Sequence, residues 1–251
     1  MAHLIRKTAA VLEAVAEDGP ASFTHIQGRT GLNKSTLSRI LSTLEGLGYV
    51  SRAEDRAFSV GPAILEMARP ALYRNAQFAV AEKYARLLAE ELGEVVTVGV
   101  LRGGRRYNLA KATVDRAVAV DAHLDLRPSP FDTATGRTLL AWARKEEVEE
   151  ALRVNGPPGE HWPGVNTAES LYEALEGIRQ AGRAEKLQKG AEVESFAVPV
   201  LDDEGRAAMS IGFAAPRYRL TPERRKEMLE ALARTAEAMA EELELKSPRK
   251  D

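Results

Sequence analysis

The chain has 251 residues, 44% of them hydrophobic, with a formal net charge of −2 and no cysteine. That length holds one large or two ordinary domains, and the near-neutral charge excludes a basic coat over the whole surface but not a local basic patch. The lack of cysteine excludes disulfides, thiolate metal sites and thiol nucleophiles.

Residues 1–7 lack the apolar core of a signal peptide, and no apolar run in the chain approaches the length that crosses a bilayer. We therefore expect a cytoplasmic protein with no membrane partner.

Apolar residues at helical spacing predict a first helix over residues 4–15, which the Asp-Gly-Pro of residues 18–20 ends. A short second helix follows, capped by Ser22 or Thr24, because either hydroxyl can accept from free backbone N–H groups. Gly31 then supplies a turn.

A third helix begins after Asn33, whose side chain is placed to cap it, and its two faces differ. One face is an apolar stripe formed by Leu37, Ile40, Leu41 and Leu44. The opposite face has hydroxyls and a cation but no carboxylate, and consists of Ser35, Ser38, Arg39 and Ser42. Residues 29–52 as a whole contain four cations and one acid. A face that met only water would usually mix both charge signs, so this face favours contact with a polyanion.

A β-hairpin is predicted next, with strands at residues 50–52 and 57–60 around a polar turn at residues 53–56. Three helices followed by a hairpin form a winged helix-turn-helix, whose second motif helix enters the major groove of DNA. The residues expected to contact DNA are Lys34, Ser35, Thr36, Ser38, Arg39, Ser42, Arg52 and Arg56. The alternative is a winged helix that docks on another protein and leaves a solvated, serine-rich face.

The remaining chain predicts an α+β arrangement, because strands and helices follow one another without βαβ alternation. A helical connector is broken at Pro70 and serves either as a lever or as a rigid spacer. Its second helix, residues 79–92, places Val80, Tyr84, Leu87 and Leu88 on one face. Strands are predicted at residues 95–101, 106–112, 117–122, 195–201 and 207–214, and helices at residues 138–151, 170–182 and 221–245.

No part of the sequence has the spacing of a catalytic or metal site. The four histidines are scattered, and neither a nucleophile elbow nor a glycine-rich phosphate loop is present. The acidic run at residues 202–204 precedes Gly205 and is typical of a hairpin turn. We therefore expect neither an enzyme nor a cofactor.

Residues 131–141 place small side chains and Gly136 at the start of a helix. Free backbone N–H groups at such a position can hold a carboxylate or another anion. Ordinary capping by Thr133 or Thr135 explains the same residues. The residues alone do not decide between an anion-binding site and an ordinary helix cap.

Residues 31–41 (GLNKSTLSRIL), residues 48–50 (GYV) and the wing that ends at residues 58–62 (FSVGP) resemble the IclR family of bacterial transcription regulators. The likeness continues over nearly the whole chain. It implies a winged helix-turn-helix at residues 1–62, a helical linker at residues 63–78, and a GAF-like, mixed α/β effector-binding domain at residues 79–251. It also implies a homodimer or tetramer that binds a palindromic operator in double-stranded DNA under the control of a small organic effector. The alternative is a protein-docking winged helix fused to a structural or enzyme-like domain.

The resemblance implies that the effector contacts the backbone at Ala134 and Thr135 and the position of Ser195, and that Glu185 falls near an acidic position that also contacts the effector. Two departures from the family pattern stand out. Asp132 replaces the usual histidine, and Lys-Leu-Gln at residues 186–188 replaces an acidic pair in a segment about one residue shorter. Acids at the pocket mouth would disfavour an anionic effector unless an arginine compensates. The arginines available for this are Arg102, Arg105, Arg106 and Arg137.

Overall fold

A computed structural model describes residues 2–17, 20–53, 56–114, 129–188 and 192–245, and the chain divides between Asn75 and Ala76 into two compact units. The first unit contains α1 (Ala2–Glu17), α2 (Phe23–Thr30), α3 (Lys34–Gly46), β1 (Val50–Arg52), β2 (Phe58–Val60) and α4 (Pro62–Arg74). The second contains α5 (Ala76–Leu92), β3 (Val95–Arg102), β4 (Arg105–Ala112), α6 (Ala134–Ala141), α7 (Lys145–Asn155), α8 (Ala168–Ala181), β5 (Ala184–Gln188), β6 (Val193–Leu201), β7 (Ala207–Pro216) and α9 (Pro222–Glu242).

The first unit is the winged helix-turn-helix that the sequence predicts. The Ser22 side chain caps α2 by accepting from the His25 N–H, and Gly31 ends that helix with a left-handed φ of 64°. Strands β1 and β2 pair antiparallel, and Phe58 exchanges two 2.8 Å backbone hydrogen bonds with Ala21. The first three helices and the wing bury one shared apolar core.

The second unit is built on a five-stranded antiparallel sheet with the strand order β4-β3-β7-β6-β5. Side chains alternate between its two faces. On the face that we call the α5/α9 face, Met209, Ile211 and Phe213 join a core with α5 and α9. The opposite face, which we call the α6 face, packs against α6, as when the Thr138 hydroxyl donates to the Ala197 carbonyl at 3.1 Å. The α+β architecture is therefore confirmed.

Helix α4 corrects the predicted break at Pro70, since it runs unbroken from Pro62 to Arg74 and ends at Asn75 in extended backbone. A proline removes one helical hydrogen bond and is costly in a helix interior, but that local cost does not end the helix here. The predicted face of α5 is also partly wrong. Leu87 is exposed, whereas Ala81, Ala85 and Ala89 lie in the buried stripe with Val80 and Leu88.

The helix predicted at residues 138–151 is in fact two helices, α6 and α7. Arg144 interrupts them with extended backbone at φ −68° and ψ 156°, and its N–H donates to the Glu147 carboxylate at 3.1 Å, which caps α7. Strand β5 was not predicted. The strand predicted at residues 117–122 lies outside the described residues.

The sheet and α8 offer a matched pair of glycine substitutions. A Cβ at Gly212 would lie 2.4 Å from the Phe196 carbonyl oxygen, whereas a Cβ at Gly177 would meet nothing within 4 Å. We expect Gly212→Ala to lower the free energy of unfolding by about 2 kcal/mol or more because the strand backbone must move. We expect Gly177→Ala to raise it by roughly 0.5–1 kcal/mol through helix propensity. Urea unfolding of both variants measures the two effects, and equal changes would contradict the close approach at Gly212.

Candidate functional site

Helix α3 presents a polar face to solvent because its apolar stripe is fully buried. Leu37, Ile40, Leu41 and Leu44 are each no more than 5% exposed. The side chains of Lys34, Ser35, Ser38, Arg39 and Ser42 are exposed, and Thr36 is half-buried. From Lys34 to Ser42 this face holds two cations and no acid, and the acid of α3, Glu45, is exposed in the last turn. A polyanion can therefore approach the first part of the face without repulsion.

The start of α3 is fixed by Asn33. Its side-chain oxygen accepts from the Thr36 N–H at 2.9 Å and from the Ser35 hydroxyl at 3.0 Å. The first contact is an ordinary N-cap. The second turns the Ser35 hydroxyl toward the cap, so this proton is committed within the protein.

The wing places two arginines on its outer surface. The Arg52 guanidinium lies 5.2 Å from the centroid of the Phe58 ring, which limits its freedom while leaving it exposed. Arg56 is exposed at the hairpin turn with a left-handed φ of 65°, and its N–H donates to the Ala53 carbonyl at 2.9 Å. Both arginines are therefore available to a phosphate.

The start of α6 holds two of the expected effector-contacting residues. The Thr133 hydroxyl accepts from the Gly136 N–H at 3.0 Å, so the helix cap that the sequence offers at Thr133 is present in the structure. Ala134 and Thr135 are buried, and Ala134 packs against Ala184 of β5 and Ala197 of β6. Ser195, half-buried on β6, lies two residues from Ala197 and shares the α6 face.

Glu185 does not join these residues, because it lies on the α5/α9 face. It pairs in register with Phe196, and its carboxylate accepts from Arg183 at 2.8 Å and from Arg225 of α9 at 2.6 Å. The structure therefore brings Ala134 and Ser195 to one face of the sheet and places Glu185 on the other.

Lys186 occupies the position that faces the start of α6, and the sequence reasoning did not include it among the site residues. It pairs in register with Ser195, its side chain is 19% exposed, and its ammonium lies 2.7 Å from the Asp132 carboxylate. The ammonium also donates to the Asp132 carbonyl. His161 Nδ1 lies 3.8 Å from the other Asp132 oxygen. The sequence contains a signal for this pair. Compared with the family pattern, position 132 gains a carboxylate, and position 186 gains an ammonium where the family has acids.

Arg137 ties the start of α6 to the turn at Gly159–His161. This buried guanidinium donates to the Phe131 carbonyl at 2.8 Å and to the His161 carbonyl at 2.9 Å, and it stacks 4.2 Å from the Trp162 ring centroid. Burial lowers the pKa of Arg137 to about 10, against the opposing effect of the Asp132 carboxylate. Through these contacts the guanidinium stabilises the packing between α6 and the turn at Gly159–His161.

The chain matches two family models, that of the IclR helix-turn-helix domain over residues 4–54 and that of the bacterial transcriptional regulator IclR C-terminal domain over residues 71–241. The chain belongs to the IclR family. Its sequence is 26% identical over 239 residues to the HTH-type transcriptional regulator KdgR of Escherichia coli, covering 93% of this chain and 91% of that protein. It is 28% identical over 193 residues to the HTH-type transcriptional regulator TtgV of Pseudomonas putida, covering 74% and 71%.

Solved IclR structures share the fold. The IclR regulator of Alicyclobacillus acidocaldarius superposes with a TM-score of 0.73 at 22% identity, covering 95% of this chain and 98% of that one. An IclR homologue of Microbacterium hydrocarbonoxydans in complex with 4-hydroxybenzoate gives a TM-score of 0.71 at 23% identity, covering 96% and 99%.

This IclR protein is a DNA-binding transcriptional regulator, and the proteins it resembles are regulators and not enzymes, as predicted. Across the described ranges, no helix is both long and apolar enough to span a bilayer. Those ranges also hold no group of three or more histidine or acidic side chains suited to a metal ion.

The Lys186–Asp132 pair can be tested by a double-mutant cycle with Lys186→Gln and Asp132→Asn. Because the ammonium is mostly buried and has two oxygen partners, we expect a coupling free energy of about 1 kcal/mol. The exposed Lys145–Glu149 pair on α7, at 3.8 Å, is the control, and we expect at most about 0.5 kcal/mol there. Chemical unfolding gives both values, and a coupling at Lys186 no larger than the control would contradict the pair.

Proposed function

We propose that this regulator binds a palindromic operator as a homodimer or tetramer and that a small organic effector modulates this binding. The observation that carries the DNA-binding part is the exposed face of α3, which has two cations and no acid from Lys34 to Ser42, together with the exposed wing arginines. In this proposal residues 1–62 bind DNA, residues 63–78 link the domains and residues 79–251 bind the effector.

Helix α3 acts as the recognition helix and enters the major groove with its N-terminus first. Lys34 and Thr36 lie in its first turn, where a phosphate is favoured by the helix dipole. Ser38, Arg39 and Ser42 lie further along and reach base edges or the backbone. Arginine is the side chain best suited to guanine, because two of its N–H groups match the two acceptors of that base.

The wing supplies phosphate contacts beside the groove. Arg52 and Arg56 are exposed, and the ring of Phe58 beneath Arg52 restricts the directions in which that guanidinium can extend. A restrained arginine loses less conformational entropy when it binds a phosphate.

The effector binds on the α6 face near Ala134, Thr135 and Ser195. Support comes from the shared burial of this layer and from the shared fold of the Microbacterium homologue, whose structure contains 4-hydroxybenzoate. Glu185 lies on the other face of the sheet, so its part in binding requires a rearrangement of β5. The neighbouring Lys186 is better placed for a direct contact.

The effector modulates DNA binding by favouring one arrangement of the two winged helices in the dimer. Half-site spacing along DNA is a strict geometric requirement, so a small change in their separation changes operator affinity. The effector must bind the two arrangements with different affinities, and a coupling of about 1–3 kcal/mol is typical of such regulation.

Replacement of Arg39 tests the recognition helix. A genomic-fragment selection with the full chain first identifies the operator, and gel shifts then measure affinity for it and for random DNA. We expect Arg39→Ala to weaken operator binding by about 1–3 kcal/mol with a smaller loss on random DNA, because base contacts carry sequence specificity. Arg153→Ala, an exposed cation on α7, is the control and should change neither affinity.

Failure to enrich any genomic fragment would overturn the DNA-binding proposal and favour the protein-docking alternative. An equal loss on operator and random DNA would instead make Arg39 a phosphate contact.

Replacement of Arg52 tests the wing. We expect Arg52→Ala to weaken binding to all sequences alike and to reduce the slope of log K against log salt concentration by about one, because one phosphate contact is lost. Gel shifts at several salt concentrations give this slope. An unchanged slope would remove Arg52 from the DNA contacts.

A further inference from the structure

Asn33, the residue that caps α3, is exposed and holds its carboxamide in one orientation. Its side-chain oxygen accepts from the Thr36 N–H at 2.9 Å and from the Ser35 hydroxyl at 3.0 Å. An amide oxygen has two lone pairs, so both of them are in use. The NH2 group of the same carboxamide is therefore turned away from the start of the helix, and none of the residues that the structure describes accepts from it. Asn33 thus presents two N–H donors to solvent in a fixed direction.

The hydroxyl of Ser35 lies beside that carboxamide and has the opposite hydrogen-bonding character. Because its single proton is donated to Asn33, only its lone pairs remain, and this exposed hydroxyl acts solely as an acceptor. Ser38 and Ser42 differ, since neither hydroxyl bonds to another described residue and each can donate or accept. A hydroxyl that does both does not distinguish a donor from an acceptor, whereas the Ser35 hydroxyl does.

A donor and an acceptor side by side are suited to the edge of a base and not to a phosphate. The charged oxygens of a phosphate are acceptors only, so they would attract the Asn33 N–H groups but be repelled by the lone pairs of Ser35. The major-groove edges of base pairs carry donors and acceptors next to one another. Ser35 also lies one helical turn before Arg39 on the exposed face of α3, which places the pair where bases are contacted.

The partner that Ser35 requires is an exocyclic amino group, which only adenine and cytosine present in the major groove. The amino group of adenine has an acceptor on each side, N7 of the same base and O4 of the paired thymine. The amino group of cytosine has an acceptor on one side only, O6 of the paired guanine. An A·T pair therefore satisfies Ser35 and Asn33 on whichever side of the amino group the carboxamide lies.

We infer that Asn33 and Ser35 together recognise an A·T base pair in each half-site of the operator. The Asn33 NH2 group donates to N7 of adenine or to O4 of thymine, and the Ser35 hydroxyl accepts from the adenine amino group. The inference rests on the proposed role of α3 as the recognition helix and assigns the base pair that the start of this helix contacts. The helix cap is then also a specificity determinant.

A substitution that preserves the cap separates the two roles of Asn33. Serine caps helices about as well as asparagine but has no amide nitrogen, so Asn33→Ser should leave the unfolding midpoint of the full chain unchanged. Selection from a pool of operators randomised at each half-site position then gives the base preferences. We expect Asn33→Ser to lower the preference for A·T about tenfold at one position and to leave the other positions unchanged.

The acceptor is tested by removing one group from the DNA. Replacing the adenine at that position with purine deletes its amino group and keeps N7. We expect gel shifts to show about tenfold weaker binding of the unsubstituted protein to the purine operator. The same replacement should change the affinity of Ser35→Ala at most about twofold, because the amino group and the hydroxyl act as a pair. Ser35→Ala leaves the bond between Asn33 and the Thr36 N–H in place.

Ser22→Ala is the control for a weakened cap in the same unit. It removes the hydroxyl that caps α2 by accepting from the His25 N–H at 3.2 Å. This variant should lower the unfolding midpoint and leave the base preference at every position unchanged.

An unchanged A·T preference in Asn33→Ser overturns the inference while operator binding by α3 stands, and so does an equal effect of purine on the unsubstituted protein and on Ser35→Ala. A preference for G·C at the position that Asn33→Ser affects would replace adenine by cytosine and overturn it too. A loss that is the same for every sequence would make Asn33 a phosphate contact. If the unsubstituted chain selects no DNA at all, the proposed DNA binding has failed, and this is seen before any variant is compared.

Discussion

Helix α3 can bury only one of its faces, and the DNA-binding unit depends on this constraint. Leu37, Leu41 and Leu44 must pack against the other helices and the wing, so the serines and Arg39 on the opposite face have nowhere to point except solvent. Asn33 then fixes where the helix begins, which sets the direction of every exposed side chain along it. The fold of the unit and its proposed DNA-binding surface are thus two consequences of one amphipathic pattern.

Local signals in the sequence were sufficient to predict a cap, turn or hairpin wherever the residues that determine it lie within a few positions of one another. The cap at Asn33, the turn at Gly31 and the hairpins are of this kind. Strand β5 escaped prediction because it is short and at the sheet edge, with an exposed Leu187 that breaks the expected alternation. The division of α6 from α7 escaped because Arg144 is an ordinary helix former whose extended backbone is set by the Glu147 cap.

The candidate effector site could be predicted only in part, because its residues meet through strand register. A shift of one residue in β5 exchanges Glu185 and Lys186 between the two faces of the sheet, and the sequence does not fix that register. Ala134 and Ala197 lie more than sixty positions apart and come into contact only because α6 packs on the sheet. The sequence shows the charges of Asp132 and Lys186, but only the structure shows that the two side chains form an ion pair.

The chain has two tryptophans, and the structure places both at α6. Trp142 follows the last residue of α6 directly, and Trp162 stacks on Arg137 near its beginning. The winged helix contains none. Tryptophan fluorescence is therefore an optical signal that the C-terminal half alone produces. A quenching or shift of that emission on adding a small molecule would originate within one helix length of α6, and operator binding would change it only through coupling between the two halves.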